Sequence, residues 1–341
     1  MESAGSIPII TTKFRHLSLK TLLDDLGILF FVLSFLFLGY KLITFQDYDS
    51  IQTQWRAMPY TQGWWITGVL ILLPLNWYLE ALKWKMLTSG IQKISVKDAV
   101  KAVLSGISTG FFTPNRIGEL VGRVSFLNAD NYKSGITLSI VNSLTQNIVM
   151  ALFGVPACIL FFLVFKGKLQ PDMIHFVLIM ILCILAFGFL YFTLPHWNLL
   201  LKRNRFSGKI KPFTDCLSTY NLNDLLRIIG VSIVRYVVFS LQFYLMLLFF
   251  GVALSPWQAL LAIPTTYLFV TFTPSLAFSE AAVRSSYAVL IIGAFSGQDI
   301  NIALAGICIW AVNFVIPMFL GSVILVRKKL LSSLDCVCNK R

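Results

Sequence analysis

Charged residues are scarce in this chain. Only 13% of its 341 residues are charged, 57% are hydrophobic, and the mean hydropathy is +0.78. Soluble domains have about 25% charged residues. This scarcity excludes a soluble globular domain of this length and predicts an all-α polytopic membrane protein, because helices satisfy their own backbone hydrogen bonds in lipid.

Residues that hold metals or perform soluble enzyme chemistry are also few. The three histidines, His16, His175 and His196, lie far apart, and only two of the six cysteines, Cys336 and Cys338, lie close together. Zinc sites need a second cysteine pair or histidines at a short spacing. The chain also lacks a nucleophile elbow and a glycine-rich phosphate loop. We therefore expect no metal, no cofactor and no enzyme activity.

The net charge of +13 does not indicate a nucleic-acid partner. The basic residues form short clusters between apolar runs, as in the cytoplasmic loops of membrane proteins. The densest cluster is Lys202, Arg203, Arg205, Lys209 and Lys211. Because no surface of basic and aromatic residues accompanies it, we expect no nucleic-acid binding.

Apolar runs predict six full transmembrane helices. They cover about residues 26–45, 64–82, 136–165, 173–194, 225–251 and 300–326. We expect a cytoplasmic N-terminal segment at 1–25, a single transmembrane domain at 26–329 and a basic cytoplasmic tail at 330–341. The first apolar run reads as a retained anchor because no small-residue cleavage site follows it.

The stretch 95–133 does not make a clean span. Its apolar part, Val103 to Phe112, has about half of the roughly 20 residues that a crossing needs. Thr113-Pro114 then breaks the helix, because proline lacks an amide hydrogen and restricts the preceding residue. A second helical piece carries Glu119 and Arg123. The pattern predicts a re-entrant element made of two short helices.

The stretch 255–298 repeats this pattern, with Pro264 and Pro274 predicted to interrupt it. Both copies carry Thr-Pro, a glutamate, and an arginine four residues after that glutamate: Thr113, Pro114, Glu119 and Arg123, then Thr273, Pro274, Glu280 and Arg284. Three predicted spans separate the copies, so they enter from opposite faces and form a probable inverted repeat.

The basic residues orient the chain. A cytoplasmic N-terminus places most of them on one side, and the other side keeps only Lys41, Arg56, Lys166 and Lys168 among the loop residues. The positive-inside rule therefore predicts that both termini are cytoplasmic. The expected location is a bacterial cytoplasmic (inner) membrane.

The charged pairs in the two motifs leave two interpretations open. Residues four apart on a helix are neighbours, so Glu119 and Arg123 can simply neutralise each other. Alternatively, the arginines and the free amides at the break bind an anionic headgroup such as a phosphate. Asn115 and Arg116 would then be the first contacts, and Glu119 would be a counter-charge or a proton carrier.

Three further polar features lie in apolar segments. Arg235, about ten residues inside the fifth span, costs about 2.5 to 3.5 kcal/mol near a bilayer centre, and we expect Glu119 or Glu280 to be its partner. Glu80 is expected at headgroup depth, paired with Lys83 or Trp84, and the alternative is a role in transport. The third span carries a polar stripe that either bonds to other helices or lines a pathway: Ser139, Asn142, Ser143, Gln146 and Asn147.

At this point a resemblance becomes visible. Phe112 to Glu119 followed by Arg123, the later Thr273-Pro274 with Glu280, and Asn76 and Trp84 resemble the flippase-like membrane family that includes the transmembrane domain of lysylphosphatidylglycerol synthases. The resemblance covers about Leu26 to Lys329. It implies movement of an aminoacylated phospholipid between leaflets, while a separate soluble domain of the synthases makes that lipid.

Two departures qualify what the resemblance implies. The chain leaves no room for the soluble domain after its last span, so we expect no synthase activity. The second motif has Ser275-Leu276-Ala277-Phe278-Ser279 in place of glycines, which leaves its backbone less free to approach a ligand. We therefore expect the second motif to be the weaker site, and two roles stay open for it, ligand binding and a mainly structural role.

Together these features predict a flippase-like translocator of an anionic phospholipid or a polyprenyl-phosphate-linked lipid. The predicted headgroup site comprises Thr113, Pro114, Asn115, Arg116, Gly118, Glu119, Arg123, Arg235, Thr273, Pro274, Glu280 and Arg284. The predicted pathway residues are Asn142, Gln146 and Asn147. The alternative is a non-transporting membrane partner of a lipid-modifying enzyme or glycosyltransferase, which would act through the 202–211 loop.

Overall fold

The computed structural model describes residues 62–111, 113, 116–166, 171–197, 213–275 and 277–338, and these ranges contain helices and no strand. In chain order the helices are α1 (Gly63–Thr88), α2 (Val96–Phe111), α3 (Gly118–Val124), α4 (Tyr132–Lys166), α5 (Pro171–Phe192), α6 (Leu222–Phe249), α7 (Pro256–Phe272), α8 (Ala277–Ser296), α9 (Asp299–Trp310) and α10 (Ile316–Cys338). A π-helical turn, Ala311–Val315, joins α9 to α10.

Four segments are long and apolar enough to cross a membrane. They are Gly63–Thr88, Ala129–Phe165, Leu222–Phe249 and Asp299–Lys328. Helix α5 is apolar as well, with 22 residues. The prediction of an all-helical, multi-pass membrane protein is therefore confirmed. The count of six spans stays a prediction, because the first one, at 26–45, lies outside the described residues.

Each of the two predicted broken elements consists of two helices that pack on each other, α2 on α3 and α7 on α8. The second break lies between Phe272 and Ala277 and contains Pro274. The prediction that Pro264 also interrupts the chain was wrong, because Pro264 lies inside α7. A proline removes one backbone hydrogen bond, and the neighbours of a transmembrane helix can compensate for that loss.

The two halves of the chain are packed across each other. Helix α10 packs on α2, and helix α4 packs on α7. At both interfaces a glycine of the long helix approaches a backbone oxygen of the short helix: Gly321 meets Leu104 O, and Gly154 meets Pro264 O. Leu104 and Pro264 are 160 positions apart, the same offset as Thr113 and Thr273.

A polar layer separates two apolar clusters. The first cluster includes Val69 of α1 and Phe243 of α6, whereas the second includes Trp84 of α1 and Leu225 of α6. The stretch of α1 between its two cluster residues carries Glu80, and the corresponding stretch of α6 carries Arg235. Charge is therefore concentrated at mid-length of the helices, where packing with neighbouring helices holds it.

Candidate functional site

The first break is closed by a threonine and by short loop hydrogen bonds. Thr113 Oγ1 donates to Gly110 O at 3.1 Å and accepts from the amide of Gly118 at 2.8 Å. Thr109 Oγ1 donates to Gly118 O at 2.7 Å. The hydroxyl groups thus satisfy backbone groups that the interrupted helix leaves free. Pro114 and Asn115 lie outside the described residues.

Arg116 stands at this break with a left-handed backbone. Its φ is 57°, and it is the one non-glycine residue with positive φ in the described part of the chain. Such a conformation costs about 1 to 2 kcal/mol for a residue with a Cβ. Strain of this kind tends to persist at functional sites, where the surrounding structure imposes it. The backbone strain therefore makes Arg116 a candidate functional residue.

Glycines allow α3 to lie directly on α2. A Cβ on Gly118 would overlap the carbonyl of Thr109, and a Cβ on Gly122 would overlap Thr109 Oγ1 and Ser105 O. Because the backbones of α2 and α3 are in contact, Glu119 and Arg123 of α3 lie close to α2. Gly118 therefore shapes the hairpin and does not line the cavity described below.

Glu119 is shared by the two arginines of the first motif. Its Oε2 lies 3.3 Å from Nη2 of Arg116, and its Oε1 forms an ion pair with Nη2 of Arg123. Arg123 is buried and also donates to Oε1 of Glu80 on α1. The predicted Glu119 and Arg123 pair is therefore present, and it is part of a larger network.

Glu80 is the centre of that network. Its carboxylate lies 3.1 Å from Nζ of Lys83 and 3.0 Å from Nη1 of Arg235, and it accepts a 2.7 Å hydrogen bond from Asn142 Nδ2. Glu80 is only 3% exposed. The expected pairing with Lys83 is present. The expected position at headgroup depth stays a prediction; α4 and α6 pack on α1 and Glu80 is buried.

Arg235 lies at the junction of three helices. Besides Glu80, it donates from Nε to Asn76 Oδ1 at 2.9 Å and from Nη1 to Gln146 Oε1 at 3.1 Å. The prediction that Glu119 or Glu280 would be its partner was wrong. Helix α6 packs against α1, and this neighbour supplies the buried carboxylate.

The second motif forms a separate ion pair with aromatic walls. Arg284 Nη2 donates to Oε1 of Glu280 at 2.7 Å. Its guanidinium carbon lies 5.5 to 5.7 Å from the ring centres of Phe239, Tyr267 and Phe314. Its Nε and Nη1 are buried and make no hydrogen bond. Aromatic faces attract a cation without neutralising its charge, so Arg284 remains a cation beside Glu280.

One aromatic ring connects the two motifs. The ring centre of Phe314, in the π-helical turn, lies 4.4 Å from the guanidinium carbon of Arg116 and 5.7 Å from that of Arg284. Turns of this type often occur at functional sites because they displace side chains from the regular helical positions. Phe314 thus holds the two motif arginines around a common centre.

The charged residues of both motifs surround one cavity of about 600 Å³. Its charged lining residues are Glu80, Arg116, Glu119, Arg123, Arg235, Glu280 and Arg284. Four arginines and three glutamates leave a formal excess of one positive charge. The cavity also contacts Thr273 and Pro274 of the second break. The structure therefore brings the two motifs, which are far apart in the sequence, to a single space.

The polar stripe of α4 bonds to neighbouring helices and also borders the cavity. Asn142, Gln146 and Asn147 all line the cavity. Asn142 and Gln146 also bond to Glu80 and Arg235 across helix interfaces. The two alternatives left open by the sequence are therefore compatible, since one polar face bonds to neighbouring helices and borders the cavity.

Several lining residues were not predicted. Asn76 and Glu80 stand four residues apart in an apolar helix, and this spacing is a signal that would have placed both on one inward face. Asn313 extends the polar layer, because its Oδ1 accepts a hydrogen bond from Asn76 Nδ2 at 2.9 Å. Phe239, Tyr267 and Phe314 carry no comparable signal, because aromatic residues are frequent in any transmembrane segment.

Comparison with known proteins gives one match. Searches of curated proteins and of solved structures find no match to this chain. Residues 26–322 match the family described as "Lysylphosphatidylglycerol synthase TM region". The matched range includes both motifs and every charged residue that lines the cavity. The chain therefore belongs to the lysylphosphatidylglycerol synthase transmembrane-region family.

Proposed function

We propose that this protein moves a lipid with an anionic phosphate headgroup, either a phospholipid or a polyprenyl-phosphate-linked lipid, between the leaflets of a membrane. Membership of the family points to a function related to membrane lipids. The observation that carries the proposal is the cavity at which the two broken elements meet and which the four arginines line.

The size of the cavity suits a headgroup. Small-molecule sites usually occupy about 300 to 1,000 Å³, and this one has about 600 Å³. Such a volume accommodates a phosphate and the polar group attached to it, whereas the long hydrocarbon chains have to remain outside. The substrate class is therefore an amphiphile, with only its polar end taken into the protein.

The charge of the cavity favours an anion. Its arginines exceed its glutamates by one, and Arg284 has two buried nitrogen atoms without a hydrogen bond. A buried donor that stays unpaired costs about 1 to 3 kcal/mol. A phosphate oxygen relieves this cost and matches the planar donor geometry of a guanidinium group, whereas an uncharged headgroup does not compensate the excess charge.

The arrangement of the two halves supports movement between leaflets. Many transporters consist of inverted repeats with broken helices that meet near the middle of the bilayer. Here the two breaks border the same cavity, and the glycine contacts at Leu104 O and Pro264 O occur at equivalent positions. A site shared by two such halves opens to either side when one half tilts against the other.

A liposome assay tests the proposal. Purified protein is reconstituted with fluorescent phosphatidylglycerol or fluorescent phosphatidylcholine, and a membrane-impermeant quencher reports how fast the probe changes leaflet. We expect rapid exchange of the anionic probe, inhibition of that exchange by unlabelled substrate lipid, and slower exchange of the zwitterionic probe. Competition by polyprenyl phosphate against phosphatidylglycerol distinguishes the two sources of the phosphate.

Matched variants connect the assay to the site. Arg116→Gln and Arg284→Gln remove one headgroup contact each, and we expect each to slow anionic exchange at least tenfold. Lys101→Gln is the control, because Lys101 is exposed on α2 and pairs with Asp98 away from the cavity. Exchange no faster than in empty vesicles, or equal rates in all three variants, would refute the proposal.

The orientation belongs to the same proposal. Both termini lie in the cytoplasm of a bacterial cell, and the substrate is taken from its cytoplasmic membrane. A membrane-impermeant maleimide added to intact cells should therefore leave Cys336 and Cys338 unlabelled and react with them after permeabilisation. The alternative role, a non-transporting partner of a lipid-modifying enzyme, depends on the 202–211 loop, which lies outside the described residues.

A further inference from the structure

The wall of the cavity towards α4 and the end of α7 is apolar and open. Ile117, Ile140 and Phe272 line the cavity together with the charged residues. Their side chains are nevertheless 59%, 53% and 41% exposed. In a membrane such residues face hydrocarbon chains instead of water. The charged cavity is therefore bordered by lipid on this side.

A small apolar notch adjoins this wall. It lies between α4 and α5, has a volume of about 60 Å³, and is bordered by Ile148, Ala151, Met180, Cys183 and Phe187 among others. Asn147 and Phe272 belong to the walls of both the cavity and the notch. The two spaces are thus neighbours that share a boundary, with the polar Asn147 and the apolar Phe272 on it.

The chemistry changes abruptly at this boundary. On one side, the cavity is lined by charged side chains such as Arg116 and Glu119, and on the other, the aliphatic and aromatic side chains of the notch offer dispersion contacts. An amphiphile has the same division within one molecule. The hydrophobic effect does not favour the notch over the surrounding lipid, but van der Waals packing of part of a hydrocarbon chain in the notch stabilises one position of the lipid.

We infer that the notch between α4 and α5 binds the hydrocarbon chain of the translocated lipid, which leaves the charged cavity sideways over Phe272. This inference rests on the proposed function and extends it, since it assigns the hydrocarbon part of the substrate to a defined surface. The headgroup crosses the membrane inside the protein. The hydrocarbon chain of the lipid moves with it along the lipid-facing surface of α4 and α5.

Two tryptophan variants of neighbouring residues on α5 test the inference. Cys183→Trp fills the notch, because Cys183 borders it. Leu182→Trp adds a similar bulk to a residue that is 67% exposed and does not border the notch. We expect Cys183→Trp to slow the exchange of a two-chain anionic lipid at least fivefold and Leu182→Trp to change it less than twofold.

A second measurement locates the acyl chain of the lipid directly by photolabelling. Phosphatidylglycerol with a diazirine in the middle of an acyl chain is irradiated in proteoliposomes of the wild-type protein, and the labelled peptides are identified by mass spectrometry. We expect labelling of the α4 and α5 residues around Asn147 and Cys183 that excess unlabelled phosphatidylglycerol suppresses. This result does not require the Cys183→Trp variant to fold.

The outcomes separate this inference from the proposed function. Active wild-type protein with equal rates in both tryptophan variants, or acyl-chain labelling that competitor does not reduce at the notch, overturns the inference alone. Wild-type protein that moves no anionic lipid overturns the proposed function, and the inference falls with it. Slower exchange in Cys183→Trp alone, with suppressible labelling at the notch, supports both.

Discussion

The carboxylate of Glu80 lies 3.0 Å from the guanidinium group of Arg235, across the interface between α1 and α6. The same carboxylate also contacts Lys83 and Arg123. One acidic group is therefore shared by three cations in a layer between two apolar clusters. This arrangement leads to the first prediction.

Replacing Glu80 should be far more damaging than replacing an exposed carboxylate. Glu80→Gln leaves three buried or partly buried cations without their shared partner, and removal of one member of a buried ion pair costs about 3 to 5 kcal/mol. We expect a large fall in the thermal unfolding temperature of the detergent-solubilised protein. Asp98→Asn is the control, because Asp98 and Lys101 form an exposed pair on α2, and such pairs contribute about 0 to 1 kcal/mol. Equal unfolding temperatures would contradict the central role of Glu80.

Two variants of Arg116 should differ in stability but not in lipid transport, because its backbone is strained. Glycine adopts a positive φ at little cost, whereas a residue with a Cβ does not. Arg116→Gly and Arg116→Ala remove the same guanidinium group, so both should slow lipid exchange equally. The glycine variant should unfold at a higher temperature than the alanine variant. The reverse order of unfolding temperatures would show that the left-handed conformation is not a source of strain.

The ring of Phe314 should matter for both motif arginines. Its centre lies 4.4 Å from the guanidinium carbon of Arg116 and 5.7 Å from that of Arg284, and each such contact contributes about 0.5 to 2 kcal/mol. Phe314→Leu should slow anionic lipid exchange up to roughly tenfold, which corresponds to about 1.4 kcal/mol. Phe314→Tyr keeps an aromatic face and should retain most of the activity. Phe319→Leu, at an exposed residue of α10, should have no effect. A similar loss of lipid exchange in Phe319→Leu would show that the effect of Phe314→Leu does not come from its contacts with the arginines.

The contact between α10 and α2 should tolerate no added side chain. A Cβ on Gly321 would overlap the carbonyl of Leu104, whereas a Cβ on Gly188 of α5 would meet nothing within 4 Å. Gly321→Ala should therefore lower the yield of folded protein in size-exclusion chromatography. Gly188→Ala should be neutral or slightly stabilising, because alanine favours helices by about 1 kcal/mol over glycine. Normal assembly of Gly321→Ala would show that the two helices separate easily.

Much of the architecture could be predicted from local composition. The apolar run at 225–251 became α6, Leu222–Phe249, and the run at 136–165 became α4, Tyr132–Lys166. The break at Thr273 and Pro274 was also located, because proline acts on the adjacent backbone. These features depend on residues within a few positions of each other, so the sequence records them directly.

The composition of the site was harder to predict. Glu80 was assigned to the membrane edge, although it pairs with Arg123 and Arg235. Hydropathy shows that a helix lies in the membrane, but it does not show which helices adjoin. The second motif was expected to be the weaker copy on the ground of its missing glycines. Its Glu280 and Arg284 nevertheless line the same cavity as the first motif.

The sequence by itself determined the membrane class, the two related motifs and their family. The tertiary structure decided which carboxylate neutralises which arginine, and it brought both breaks to one cavity. The physical reason is the range of the interactions concerned. Apolar runs and proline act locally, whereas the pairing of Glu80 with Arg235 depends on the packing of α1 against α6, which are far apart in the sequence.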